Sequence, residues 1–521
     1  MASAVALPGV VRADSGLGRA AADANDTARS ALDAAAAMDS AETRYRLLRK
    51  INIAAVTGSR RADVDAALLG AAAEAGVARD FPFAGAMAAP FAVSPMAGAW
   101  RSAGTPDAQA GAALVRTLDA ETERVRMAGS MGIALPSSAF AVLLPSFDTR
   151  AGRIEDPIVA AAFSRQRAVL VAASAAVPPG DGLGRSPQGR RLYAGMLQLQ
   201  AGEAVAPETF HARMVQLCDD LSRRADRLLR GVGLPKGSIA DRLRAFARDP
   251  RFLYGDDDAG RDRAVAEMNG WLDRARAALP ASFGTIPHAA DVVRAHRMRA
   301  ADEAAARAGY RTVPDPANSF DGGYFVDLAH IRRRPSWSLR SVVHHELLPG
   351  HMMQLPLQET ARPHPLRLAY APGFVEGWGI YAEQLAAEMG LFADDPAGEI
   401  GYLQWMLFRA GRGLVDSGVH LHGWTVQEAE ARLAALQGEP AIFASFAKDA
   451  MRVSLEPASF AGQAWNWHCL ATLAAASGAA ASGARRHFHD AALSEGALPI
   501  AMLRAPAQRK VVATIGNIFA I

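Results

Sequence analysis

The sequence predicts a mostly α fold, a large helical protein with a small β-sheet beside its most chemically loaded helix. Alanine-rich stretches studded with arginine, glutamate and leucine favour helix. Apolar positions recur at helical spacing between Gly/Pro punctuation. Strand-like content is scarce and gathers between residues 310 and 330. At 521 residues, 50% apolar and 21% charged, the chain can bury a large core and has an ordinary globular composition.

Taken in order, residues 18–80 read as two or three helices and 106–128 as another. Residues 132–148 read as irregular because of Pro136 and Pro145. A helix near 154–176 leads into the Pro- and Gly-rich loop 177–184, the best internal boundary. Amphipathic helices follow at 206–232, 237–248 and 258–278. The turn signal Asp321-Gly322-Gly323 precedes a strand over 324–328, read as the exposed edge of the sheet, where Tyr324 and Val326 could hold an extended peptide. Ser336 is the expected N-cap of a helix through 337–348, and further helices are expected at 373–389, 396–418, 425–435 and 457–477. This gives three regions: N-terminal helices (1–180), helices packing over the site (181–310) and a catalytic core (311–521).

Charge and composition narrow the partners. Net charge is +3, with 53 acidic against 56 basic residues, and Arg332-Arg333-Arg334 reads as a solvated turn, so nucleic acid is not an expected partner. Cys218 and Cys469 have no Cys-x-x-Cys neighbour and read as buried hydrophobes. Pro8, Arg12 and Asp14 interrupt the N-terminal apolar run, and no uncharged apolar stretch reaches 18 residues. A cytoplasmic protein without a membrane partner is expected.

The chemistry concentrates in His345-Glu-Leu-Leu-Pro-Gly-His351, followed 31 positions after His345 by Glu376. Zinc hydrolases need neutral nitrogen donors, a carboxylate ligand and a free carboxylate that accepts a proton from water. His345 and His351 lie six residues apart. On an ideal helix they would face apart, about 240° net and roughly 9 Å along the axis. Pro349 and Gly350 require the helix to kink, bulge or restart there, which lets His351 swing back toward His345. His344 is the competing ligand, but it reads better as packed or supporting. Glu376 is the expected third ligand, Glu346 the general base, and Glu383 the residue that orients a ligand histidine from behind.

These residues carry a resemblance. HELLPGHMMQ (345–354) is similar to the His-Glu-x-x-Pro-Gly-His-His-x-Gln segment of the bacterial DUF885 proteins, grouped with zinc-metallopeptidase-like proteins of gluzincin type. GFVEGWGIYAEQLAAEMGLF (373–392), RGLVDSGVHLHGWTVQEA (412–429) and FHDAALSEGALPIAML (488–503) resemble further segments of that family in the same order, with a weaker likeness at LRAFARDPRFLY (243–254). The resemblance implies a zinc-metallopeptidase-like helical fold with one zinc per chain held by His345, His351 and Glu376, and Glu346 as base. It also draws in Arg412, Asp416 and His420, with His420 as oxyanion donor held by Asp416. Two positions depart from the family pattern: Met352 replaces a histidine, and Trp467 replaces a tyrosine that would serve the oxyanion. The expected activity is hydrolysis of an amide or peptide bond in a small peptide or amino-acid conjugate, with His420 or the indole N–H of Trp467 helping the oxyanion. The alternatives are a metal-dependent biosynthetic step on an amide-like metabolite, or a non-catalytic scaffold.

Overall fold

The computed structural model describes residues 14–104, 111–305, 307–313, 322–439, 445–477 and 482–504. Pro8, Arg12 and Asp321, used above, lie outside the described residues. The protein is mostly helical with one three-stranded sheet. The N-terminal helices are Asp14–Ala36, Ala41–Leu48 and Gly58–Asp80, and the amphipathic ones Pro207–Gly231, Ile239–Ala247 and Asp258–Ala278, close to their expected bounds.

Residues 132–148 are not irregular. Ser137–Ala151 is a helix with Pro145 inside it. Pro145 and the preceding Ala141 and Val142 are exposed, so the turn that loses a helical hydrogen bond to proline lies at the surface, where solvent can compensate. The next helix, Pro157–Ala175, is by length and composition apolar enough to cross a membrane. It carries Arg165 and Arg167, paired to Asp119 and Asp148, and turns Val159, Phe163 and Leu170 into a local apolar cluster.

The main hydrophobic cluster runs from Ala28 to Ile500 and takes residues from all three expected regions. A smaller cluster gathers residues between Val93 and Leu170 together with Leu455. A Cβ at Gly70 would overlap the Tyr370 ring, and Arg44 donates to both Glu74 and Tyr370 in the interior. The N-terminal helices are therefore sealed onto the chain around the site.

The sheet comprises β1 (Arg294–Arg297), β2 (Tyr310–Thr312) and β3 (Gly323–Val326) in the order β1-β3-β2. β3 is thus the central strand, parallel to β1 and antiparallel to β2, which overturns its reading as an exposed edge. Tyr324 and Val326 are buried, and both backbone sides of β3 are paired, so neither is open to an extended peptide. Asn269 covers β1 by exchanging two 3.0 Å hydrogen bonds with the Ala295 backbone. β2 forms the other edge, and its Arg311 lies opposite Tyr324.

The helix carrying His345 spans Ser336–Glu346, with Pro335 rather than Ser336 in the cap position and no side-chain cap. It ends at Leu347 (φ −112°, ψ −100°), and a second helix, His351–Ala361, starts after Gly350. The chain restarts at Pro349, one of the three outcomes the sequence left open. Behind this break pack the helix Phe374–Glu388 and the long buried helix Pro396–His422.

Candidate metal centre

The break brings His345 and His351 together with their rings perpendicular and centroids 4.8 Å apart. Glu376, in the first turn of Phe374–Glu388, completes the group, and one donor atom from each of the three lies within 4.8 Å of the others. Individually, Glu376 oxygens stand 3.5 Å from His345 Nε2 and 3.7 Å from His351 Nε2.

Each imidazole is oriented from behind. Glu383 accepts from His345 Nδ1 at 2.9 Å and from Ser341 at 2.6 Å. Gln354 Oε1 accepts from His351 Nδ1 at 3.2 Å. This leaves both Nε2 atoms to face Glu376, and His351 Nε2 is buried with no hydrogen-bond partner. A buried, partnerless nitrogen beside a second imidazole and a carboxylate is what a cation-binding set requires, so these residues fit a zinc ion. Gly379 makes room, since a Cβ there would come within 2.6 Å of His345 Cε1. Trp378 Nε1 lies 3.2 Å from the Pro349 carbonyl oxygen and 3.3 Å from that of Gly350, and its donation fixes the break onto the glutamate helix.

The electrostatics follow from these contacts. Burial and the Arg409 cation oppose a proton on His345, but Glu376 and Glu383 outweigh them and raise it to about 9. Burial, reinforced by the His345 charge, lowers His351 to about 4. Burial disfavours the Glu376 carboxylate, yet His345, His351 and Arg409 hold it well below the usual range. The metal-free site thus keeps one proton that a cation would displace.

Glu346 lines the same cavity of about 140 Å³ as His345, Glu376, Trp405 and Arg409. Two arginines absent from the sequence expectations stand here. Arg311 of β2 reaches Glu346 at 2.9 Å and Glu376 at 3.7 Å. Arg409 lies 3.5 Å from Glu383. Nothing in Tyr310-Arg311-Thr312 announces the first. The second was signalled only by its place one turn before Arg412. Gln354 and Trp378 sat inside the quoted motifs without a role.

Other expected residues lie apart from the cavity. His420 accepts from the Leu183 N–H at Nδ1 (3.1 Å) and donates from Nε2 to the Val453 carbonyl (2.9 Å), so its ring has no free N–H for an oxyanion. Asp416 does not hold His420; it accepts from Tyr193, Ala458 and Ala461 at 2.9, 3.0 and 3.2 Å. Arg412 stacks on Phe460, its guanidinium carbon 3.3 Å from the ring centroid. Trp467 donates to Gln384 at 2.8 Å and is likewise committed. His344 is packed, with Nδ1 at 3.0 Å from the Leu348 carbonyl and its ring edge-on to Phe392. Met352 is fully buried in the main cluster. Neither of the two departures from the family pattern is among the residues lining the cavity.

Fold and site define a mostly helical protein with a His-His-Glu group at a helix break, its two histidines buried and its glutamate part-exposed. The chain belongs to the DUF885 family, described as bacterial proteins of unknown function, whose pattern matches residues 15–506. No protein of curated function matches it. A crystal structure described as a "putative lipoprotein" from Colwellia psychrerythraea is similar at 20% identity and TM-score 0.69, covering 98% of this chain and 100% of that one. A second, described as a "putative lipoprotein of unknown function" from Shewanella oneidensis, is similar at 14% identity and TM-score 0.62, with 91% of each chain covered. At these identities the likeness is one of fold.

Proposed function

We propose that the protein is a zinc-dependent hydrolase that cleaves an amide or peptide bond of a small peptide or amino-acid conjugate. The observation that carries this reading is the buried, partnerless His351 Nε2 facing His345 and Glu376, with the Glu346 carboxylate beside them. His345, His351 and Glu376 would hold one zinc ion, and Glu383 and Gln354 keep the two imidazoles in the donor tautomer. When bound, the ion supplies Lewis-acid chemistry to water and to the scissile carbonyl.

The remaining steps fall to side chains. Glu346 takes a proton from the attacking water and returns it to the leaving amine. Arg311 orients the Glu346 carboxylate and offers its other N–H groups to the oxygen on which negative charge develops, the task expected earlier of His420 or Trp467. Among the described residues β2 is an edge strand of the sheet, and it can pair with an extended substrate while Arg311 reaches inward. Because Met352 and Trp467 lie off the cavity, simple hydrolysis is favoured over a rearranged biosynthetic step. Retention of Glu346 at the cavity favours it over a scaffold without chemistry. The two structural neighbours are described as lipoproteins, and cell fractionation decides between that location and the cytoplasmic one expected from N-terminal composition.

The test combines metal analysis with a dipeptide panel. The wild type should hold one zinc per chain, lost in His345→Ala. Glu346→Gln should keep the metal while turnover falls by about 10²–10⁴-fold. A metal-free protein with undiminished activity, or a fully active Glu346→Gln, would contradict the proposal.

A further inference from the structure

Arg409 and Trp405 line the same cavity as Glu346 and Glu376, with Arg409 on the Glu383 side of the His345 ring. The Arg409 side chain is only 11% exposed, and its guanidinium lies 5.2 Å from the Trp405 ring centroid and 5.3 Å from that of Phe408. Its Nε is buried without a hydrogen-bond partner. Nη2 lies 3.3 Å from His345 Nδ1, but a nitrogen that donates its proton to Glu383 has no lone pair to offer Arg409. Glu383 is committed to His345 and Ser341, and it stands 3.5 Å from Arg409 as a charge neighbour without a hydrogen bond. One turn on, Arg412 also has a buried Nε with no partner.

A guanidinium is a planar fork of five donors suited to a carboxylate, and one held by aromatic faces is already oriented for it. We infer that the Arg409 side of the cavity is a carboxylate subsite, so that the substrate presents a free carboxylate to Arg409 while its scissile bond lies toward Glu346. Size agrees: a cavity of about 140 Å³ lies below the ~300–1,000 Å³ of sites for larger ligands, and admits the end of a small molecule. The inference takes its reaction from the hydrolase reading, but the subsite is a binding property and can be tested without turnover.

The probe pair is N-acetyl-glycyl-alanine and its C-terminal amide, titrated calorimetrically into zinc-supplemented Glu346→Gln protein. The acid should bind at least 10-fold more tightly than the amide. Arg409→Gln should erase the difference by weakening the acid alone, and Arg409→Lys should restore part of it, with circular dichroism showing both variants folded. Equal binding of acid and amide by the Glu346→Gln protein would overturn the subsite, as would a preference that survives Arg409→Gln. An Arg409-dependent preference, together with a zinc-loaded wild type that hydrolyses neither this probe nor any member of the dipeptide panel, would keep the subsite and remove the hydrolase.

Discussion

An imidazole binds a cation only through a nitrogen without a proton, and here the groups behind each ring decide which nitrogen that is. Glu383 fixes His345 and Gln354 fixes His351. Removing such an outer partner commonly weakens metal binding 10–100-fold. Glu383→Gln should therefore raise the zinc dissociation constant by about that factor in competition with a chelator, without abolishing binding. The His345 proton gives a second handle. Because Glu376 and Glu383 hold it up to about 9, zinc binding near pH 7.5 should release about one proton per ion, read from the buffer dependence of calorimetric heats. Affinity should accordingly rise with pH up to about 9. In the metal-free protein the sign for stability is opposite. The raised His345 value contributes stability fully below its unfolded value of about 6.5, and this is lost as pH rises through about 9.

At the scale of elements, the site depends on a helix that stops and restarts. Trp378 holds the break through the Pro349 and Gly350 carbonyls, and Gly379 accepts the His345 ring. Gly379→Ala should push His345 off the site and reduce zinc stoichiometry well below that of wild type, while far-UV circular dichroism stays helical. Trp378→Phe should cost about 1–3 kcal/mol in chemical denaturation, because buried carbonyls lose their donor. A departure from a straight helix was legible in sequence, because proline removes a backbone donor and the two histidines cannot converge without a turn, but kink, bulge and restart were not distinguishable. The helices were legible because their apolar periodicity and their Gly/Pro ends agree. The order of the strands was not: Tyr-Phe-Val says strand, but nothing local says that β1 and β2 flank it. For the same reason Arg311 escaped notice, since its closeness to Glu346 is made by strand pairing and not by spacing. His420 misled because helical periodicity puts it on one face with Arg412 and Asp416 without saying that backbone from Leu183 and Val453 occupies both ring nitrogens.

For the whole molecule, one apolar cluster joins the N-terminal helices to the chain around the site, through contacts such as Gly70 on Tyr370 and the Arg44–Glu74–Tyr370 hydrogen bonds. A fragment of residues 181–521 should therefore fail to fold cooperatively in calorimetry, despite containing every proposed ligand. Zinc should raise the thermal midpoint of the intact chain, since a ligand that binds only the folded state adds about 2.7 kcal/mol at a hundredfold excess over its dissociation constant. His351→Ala should lose that increment. The most direct measurement is X-ray absorption at the zinc edge of the loaded protein. Two imidazole nitrogens at about 2.0–2.1 Å and a carboxylate oxygen at about 2.0–2.2 Å are expected, with one imidazole lost in His351→Ala. A protein that takes up no stoichiometric zinc, or zinc whose ligand shell is the same in His351→Ala, would contradict the assignment of His345, His351 and Glu376.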